Sequence, residues 1–415
     1  MVLLTYFLTS GFHFDKLYMI KLANYSSCTA CASCINICGK QAIAFKSNDE
    51  GFFKPFIDKD KCIECGLCMK VCPQLNESET KKVFIQKSYA VISKRHQKNG
   101  SSGGVFSAIA DYVLDNQGIV YGAAFNSSLK LKHIAVIDKS GMQQLRGSKY
   151  LQSDIGFCFK DIRNQLLKKK LVLFSGTPCQ VAGLNTFLRN KNYENLITID
   201  LTCHGVPSQT TFDVWLKHIK NHYGEIKGLQ FRKLDGWSIT PYVTLKNGKK
   251  KYIRNSLETY MWAFYNGLLF KEACYNCKYA NLNRPADITL ADFWGIGNHG
   301  TPYSQNTTHG ISLVITNSQK GDYIIQSIKE SLIIEKRSIN EALIEQYNLK
   351  HPSPRPSKRN TSVIDFNSCK SLKEFARSYN LLPNHWFFYI ATSQIKNWLI
   401  QSGLFDKLKN IKYKI

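Results

Sequence analysis

The chain has 415 residues, 44% hydrophobic and 20% charged, a globular balance that excludes disordered and fibrous classes. Its 55 Lys and Arg against 30 Asp and Glu give a net charge of +25, dispersed in short runs such as Lys168–Lys170 and Lys249–Lys251. No nucleic-acid motif accompanies them, so the charge reads as a basic surface suited to an acidic partner or anionic lipid.

Met1 to Phe14 are apolar, but no basic segment precedes them and the run is too short to span a bilayer. Met19 stands shortly before the first cysteine. Residues 1–19 are therefore expected to be an over-extended start or a disordered stretch.

Residues 20–78 carry the strongest signal. Cys28, Cys31, Cys34 and Cys38 are followed by Cys62, Cys65, Cys68 and Cys72, so C-x2-C-x2-C-x3-C is written twice. That is the ligand spacing of a two-cluster ferredoxin, in which the fourth cysteine of each run crosses to the other cluster. Cys28, Cys31, Cys34 and Cys72 are expected on one 4Fe-4S cluster, and Cys62, Cys65, Cys68 and Cys38 on the other. Pro73 follows the second run, whereas Gly39 replaces the usual proline after the first. Zinc sites favour well-separated C-x2-C pairs, and thiolate ligands need a reducing compartment, so the doubled register argues for clusters and a cytoplasmic location. Between the runs, 41–45 and 52–57 read as short strands, and Asn76–Lys82 as a polar link.

In region 85–165, Tyr89–Ile92 is a short strand, followed by Gly100-Ser-Ser-Gly-Gly-Val-Phe-Ser107 opening a helix through Leu114. A Gly/Ser loop at a helix start suits an anion, because small residues admit the backbone and free N–H groups point outward; it also suits a plain turn. Gly118–Phe125 and Leu131–Ile137 read as paired strands. Arg146-Gly-Ser-Lys-Tyr150 then offers either a surface loop or a second contact to a phosphate-bearing cofactor.

In region 166–340, the apolar strand Leu171–Phe174 closes on Ser175-Gly-Thr-Pro-Cys179, with a helix from Gln180 to Arg189. The strand Leu196–Leu201 closes on Cys203-His-Gly-Val-Pro207, and Ser208 is a good N-cap for a helix through His222. Apolar strands alternating with helices predict a parallel sheet whose functional loops lie beyond the strand carboxyl ends. Tyr242–Ile253 reads as a hairpin around Asn247-Gly248, Gly310–Ile315 as a buried strand and Asp322–Glu330 as a helix. Asp287 and Asp292 either fix the loop after the Cys274/Cys277 pair or serve as turn or cap residues. Region 341–415 opens on an extended connector, 346–362. It ends in an amphipathic basic segment with Trp398, Leu399, Leu404, Leu408 and Ile411 at helical spacing, suited to packing on the domain, to a partner or to a membrane surface.

Of the six remaining cysteines, Cys179 and Cys203 end neighbouring strands and Cys274 and Cys277 form a C-x2-C pair. These four thiols are compatible with a third cluster, a zinc ion or a redox dithiol; the company of two clusters favours the first. Cys158 and Cys369 have no patterned partner.

Several segments together resemble the coenzyme F420 hydrogenase/dehydrogenase beta-subunit family. They are Ser102–Ser107, Leu145–Tyr150, Phe174–Gly183, Cys203–Pro207 and Ala286–Gly295, ordered within residues 85–340. The resemblance implies FAD near Ser102, Gly103, Gly104, Ser107, Ser148 and Lys149, and an additional 4Fe-4S cluster on Cys179, Cys203, Cys274 and Cys277. It is similar to members with a fused ferredoxin module. The expected fold is a small two-cluster ferredoxin-like domain followed by a mixed-sheet α/β flavin and iron–sulfur domain, an α+β / α/β class. The expected activity is an oxidoreductase passing electrons between a ferredoxin or flavodoxin and a small substrate or deazaflavin-like coenzyme. Among catalytic candidates, His204 suits a proton donor or, equally, a turn or ligand-supporting role beside Cys203, and Lys149 suits a flavin phosphate or the electron-rich edge of the reduced ring. A non-catalytic relay subunit or a redox sensor are the competing classes, and neither needs a flavin site.

Overall fold

The computed structural model describes residues 20–76, 84–233, 237, 239–299 and 301–381. The expected over-extended start, nearly all of the polar link and the basic C-terminal segment lie outside the described residues.

The N-terminal module is built on strands β1 (Ile43–Ser47) and β2 (Phe53–Ile57), antiparallel, with two short helices, α1 (Ser33–Ile37) and α2 (Leu67–Lys70). Each helix follows a cysteine loop with the same backbone signature: Ala30 and Ala32 in the first and Glu64 and Gly66 in the second have positive φ, 52°, 67°, 53° and 69°. The repeat in sequence is thus a repeat in conformation. Three of these four are not glycine, and such left-handed residues cost free energy that chains retain chiefly at functional turns.

Seven strands of the second sheet form a mixed layer, with helices between some of them and loops alone between others. They are β3 (Lys87–Ser93), β4 (Ile119–Phe125), β5 (Leu131–Val136), β6 (Val172–Gly176) and β7 (Leu196–Leu201), then, after a small separate sheet of β8 (Ile226–Gln230), β9 (Tyr242–Leu245) and β10 (Lys250–Tyr252), β11 (Ile288–Asp292) and β12 (Ser312–Thr316). An edge strand, β13 (Leu332–Arg337), makes eight, in the order β13-β3-β12-β11-β7-β6-β4-β5. The central four, β11, β7, β6 and β4, are mutually parallel, and the flanking pairs are antiparallel. A parallel core needs both faces covered. Val120, Leu173 and Ile197 pack with α3 (Val105–Asp115) on one face, and Tyr121, Val172 and Phe174 pack with Phe159 and Val181 on the other.

Most of the predicted elements recur with small shifts at their ends. Ser208 caps its helix through the Thr211 amide, and Gly248, at φ 83°, turns the β9–β10 hairpin. The stretch 346–362 departs from the expected free connector: Arg359, Ser362 and Asn348 are buried in it, and a helix begins at Arg359. Its side chains find fixed partners, as Ser353 donates to the His204 carbonyl at 2.6 Å and Arg355 pairs with Glu272.

The module is keyed into the body by its β1–β2 turn. Gly51 (φ 81°) leaves no room for a side chain, because a Cβ there would lie 2.4 Å from Thr210. The next residue, Phe52, is fully buried in the aromatic core formed by Phe212, Trp215, Phe231 and Tyr260. Ser208 and Asn367 both donate to the Glu50 carbonyl, and Lys271 to that of Phe53.

Candidate functional site

Three structural units converge on the cysteines. Cys28, Cys31 and Cys34 of the first loop line one cavity together with Cys72 of the second run; its volume is about 350 Å³. Of the second set, Cys68 is buried and Cys65 exposed, and Cys38 accepts a bond from the Ala42 amide at 3.3 Å. Cys31 and Cys34 thiols are raised by burial and by neighbouring thiols.

The other constellation lies at the carboxyl ends of β6 and β7, where a parallel sheet opens its functional crevice. Cys179 sits in the first turn of α4 (Pro178–Phe187), fixed by a capping box in which Thr177 and Gln180 satisfy each other's backbone donors. Cys203 follows β7, and Gly205, two residues on, has φ 148° and leaves no room for a side chain, since a Cβ would strike the Phe270 ring at 2.4 Å. Cys274 and Cys277 come from the turn after Lys271. All four line one cavity of about 500 Å³, with His204, Lys271 and Arg284. Burial raises the Cys179 thiol to about 11 and that of Cys274 to about 12, adjacent thiols adding to both. Four half-buried thiols that resist ionising alone, beside two buried cations, suit a group that binds them as thiolates and supplies the positive charge itself. Arg284 is held by Asp200 at 3.0 Å and by the Leu201 and Tyr279 carbonyls.

Beyond this cavity, the two polar loops predicted for a flavin touch each other: the Ser148 amide donates to Ser101 Oγ at 3.0 Å. Ser102 donates to the Ile311 carbonyl. Gly103 is pressed on β3 and β12, where a Cβ would lie 2.2 Å from the Val91 carbonyl, and Gly104 (φ 82°) starts α3 with Ser107 buried behind it. Lys149 turns its ammonium inward onto the Gln144, Leu145 and Arg146 carbonyls, and burial lowers it to about 7.

Next to these loops stands a group that no sequence motif assembles. Arg232, after β8, donates to Asp292 at 2.6 Å; Trp237 Nε1 donates to the other Asp292 oxygen at 3.0 Å. Trp237 and Trp294 stack with centroids 4.6 Å apart and planes 5° from parallel. Trp294 and Tyr265 present exposed ring surface. A Cβ on Gly310 would touch both Ser102 and Trp237, and one on Gly147 would touch Gln230, so loops and rings form one surface. Asp292 is therefore a bridging carboxylate at a strand end rather than a turn residue, whereas Asp287 links strands by accepting from Thr198 and Ser318. Arg232 and Trp237 carried no motif; the aromatic after Asp292 was the one signal in the sequence. His204, exposed, lines the cysteine cavity. Cys158 and Cys369 lie apart from both.

Paired cysteine loops folded around shared cavities, set on an α/β sheet, define an iron–sulfur electron-transfer protein. The family model for the 4Fe-4S dicluster domain matches residues 27–76, and a second dicluster model residues 54–107. Residues 169–342 match the family model for the C terminus of the coenzyme F420 hydrogenase/dehydrogenase beta subunit. The chain is thus similar to a 4Fe-4S dicluster domain over residues 27–76 and to the C terminus of that beta subunit over residues 169–342. Among solved structures, a chain of the F420-reducing NiFe hydrogenase complex from Methanosarcina barkeri aligns at 16% identity, over 70% of this chain and 91% of that chain, with a TM-score of 0.43. No curated protein matches. No helix among the described residues is long and apolar enough to cross a membrane.

Proposed function

We propose that the protein is a flavin- and iron–sulfur-dependent oxidoreductase, passing electrons between an acidic ferredoxin-type carrier and a small substrate or deazaflavin-like coenzyme in the cytoplasm. The observation that carries this reading is the convergence of Cys179, Cys203, Cys274 and Cys277, from three separate loops, on one cavity. Those four would hold a third 4Fe-4S cluster, and the two ferredoxin sets, Cys28/Cys31/Cys34/Cys72 and Cys38/Cys62/Cys65/Cys68, the other two. Clusters supply single-electron transfer and FAD supplies exchange between one- and two-electron chemistry.

The chain's own residues account for the rest. Ser101, whose hydroxyl accepts from the Ser148 amide and keeps its own proton to donate, and Ser102, whose hydroxyl oxygen can still accept, would face the polar part of FAD, with Lys149 fixing the Ser148 loop from beneath. The exposed face of Trp294 suits a flat ring, and Arg232 with Asp292 sets the polarity at its edge. His204, which lines the cysteine cavity, would pass a proton through its imidazole, whose affinity for that proton burial lowers. The basic surface favours encounter with an acidic carrier. Anaerobically purified protein should show flavin absorbance and about twelve irons per chain. About eight irons without flavin would overturn this reading.

A further inference from the structure

The module and the body share a wall one residue thick. Thr29 lines both the Cys28/Cys31/Cys34/Cys72 cavity and the Cys179/Cys203/Cys274/Cys277 cavity. On one side of this wall runs α4, which carries Cys179 in its first turn and Gly183 one turn later on the same face. A Cβ on Gly183 would lie 2.8 Å from Cys31 Cβ and 2.9 Å from Cys31 Sγ. Only a residue without a side chain lets the ligand loop come this close. A second bridge is Tyr279, which lines the body's cavity and meets Gln74, a lining residue of the module's, at 3.5 Å.

The wall also contains a charge. Lys271 is 1% exposed; its ammonium donates to the Phe53 carbonyl at 2.8 Å and lies over the Tyr25 and Phe52 rings. It lines the body's cavity and lies within electrostatic range of Cys28 of one set, of Cys274 and Cys179 of the other, and of the Glu50 carboxylate, which Arg359 already pairs. The second ferredoxin set has a different setting, with Cys65 exposed beside the 62%-exposed Ile63.

We propose that Gly183 and Lys271 form a coupling junction between the first ferredoxin centre and the body's centre. The missing side chain of Gly183 sets the approach of the two ligand sets, and Lys271 is the positive charge they share. The module therefore meets the body through its first centre and turns its second centre outward, toward the external carrier. This rests on the cluster reading above. A fixed cation beside a cluster favours its reduced form, so removing the charge lowers the potential of each centre it serves.

The test uses the full chain, purified anaerobically and reduced with dithionite, read by electron paramagnetic resonance. Neighbouring reduced centres split and broaden each other's signals. Cys65→Ser, which disables the second centre, should keep the splitting that involves the body's centre, and Cys31→Ser should abolish it. The opposite pattern overturns the junction. Gly183→Ala replaces no ligand but adds the Cβ that presses on Cys31, so it should push the two centres apart and reduce the splitting while about twelve irons remain bound; unchanged splitting removes Gly183 from the role. In potentiometric titration, Lys271→Met should shift the first and the body's centres to lower potential and leave the second in place, with Lys271→Arg restoring both. A shift of the second centre alone overturns the shared charge. A wild-type content of about eight irons would instead overturn the cluster reading, a failure separable from that of the junction.

Discussion

Arg359 holds Glu50 with both arms of its guanidinium, Nη1 donating to Oε1 at 2.7 Å and Nη2 to Oε2 at 3.1 Å, across 309 positions of chain. Tyr25 adds its hydroxyl to the same carboxylate, and Arg359 Nε donates to the Phe270 carbonyl. One pair thereby ties together the ferredoxin turn, the cysteine loop of the body and the segment after the family domain.

Glu50→Ala would leave a buried guanidinium without its counter-charge, and removing one partner of such a pair typically costs about 3–5 kcal/mol. Thermal unfolding monitored by cluster absorbance should show the loss. Burial pushes the Glu50 carboxyl up, but bonds from Arg359 and Tyr25 outweigh it and hold it below the ordinary 4.5. A carboxylate depressed in the folded state contributes stability above its unfolded value, and that contribution fades as pH falls through the folded value. Between neutral pH and acid, wild type should therefore lose stability more steeply than Glu50→Gln.

Phe52→Ala tests the plug. The ring is fully buried in the body's aromatic core, and truncation of such a phenylalanine costs about 3–5 kcal/mol. Limited proteolysis should release the module from the variant sooner than from wild type. Equal rates would mean that the hydrogen bonds around Glu50 hold the module unaided.

Cys274→Ser should lower iron from about twelve to about eight per chain, on the stoichiometry of three four-iron centres. The signals of the two ferredoxin centres should persist. Their loss in place of the third would contradict the ligand assignment.

Trp294→Ala should release flavin while iron content stays unchanged, because the ring is partly exposed and packs chiefly on Trp237. Asp292→Ala should behave differently, since Arg232 is 3% exposed and would lose a buried partner at a cost of about 3–5 kcal/mol. Flavin fluorescence after gel filtration separates the two effects. Full flavin retention in Trp294→Ala would remove the tryptophan face from the site.

The sequence by itself determined the features that short-range spacing dictates. The doubled cysteine register appears as doubled left-handed turns at Ala30/Ala32 and Glu64/Gly66, because ligand spacing and loop conformation are both local. The strand ending at Leu201, the Ser208 cap and the Asn247-Gly248 hairpin were legible for the same reason. Tertiary structure alone decided the long-range choices. Nothing near Phe52 in sequence announces a plug, Arg232 and Trp237 reach Asp292 from another part of the chain, and Arg359 turns an apparent connector into a clasp. The two ferredoxin sets look equivalent in spacing; the packing of Cys31 on Gly183 and the place of Thr29 in both cavities distinguish the first. Such contacts depend on which surfaces are buried together, and burial is a property of the folded whole that no local pattern encodes.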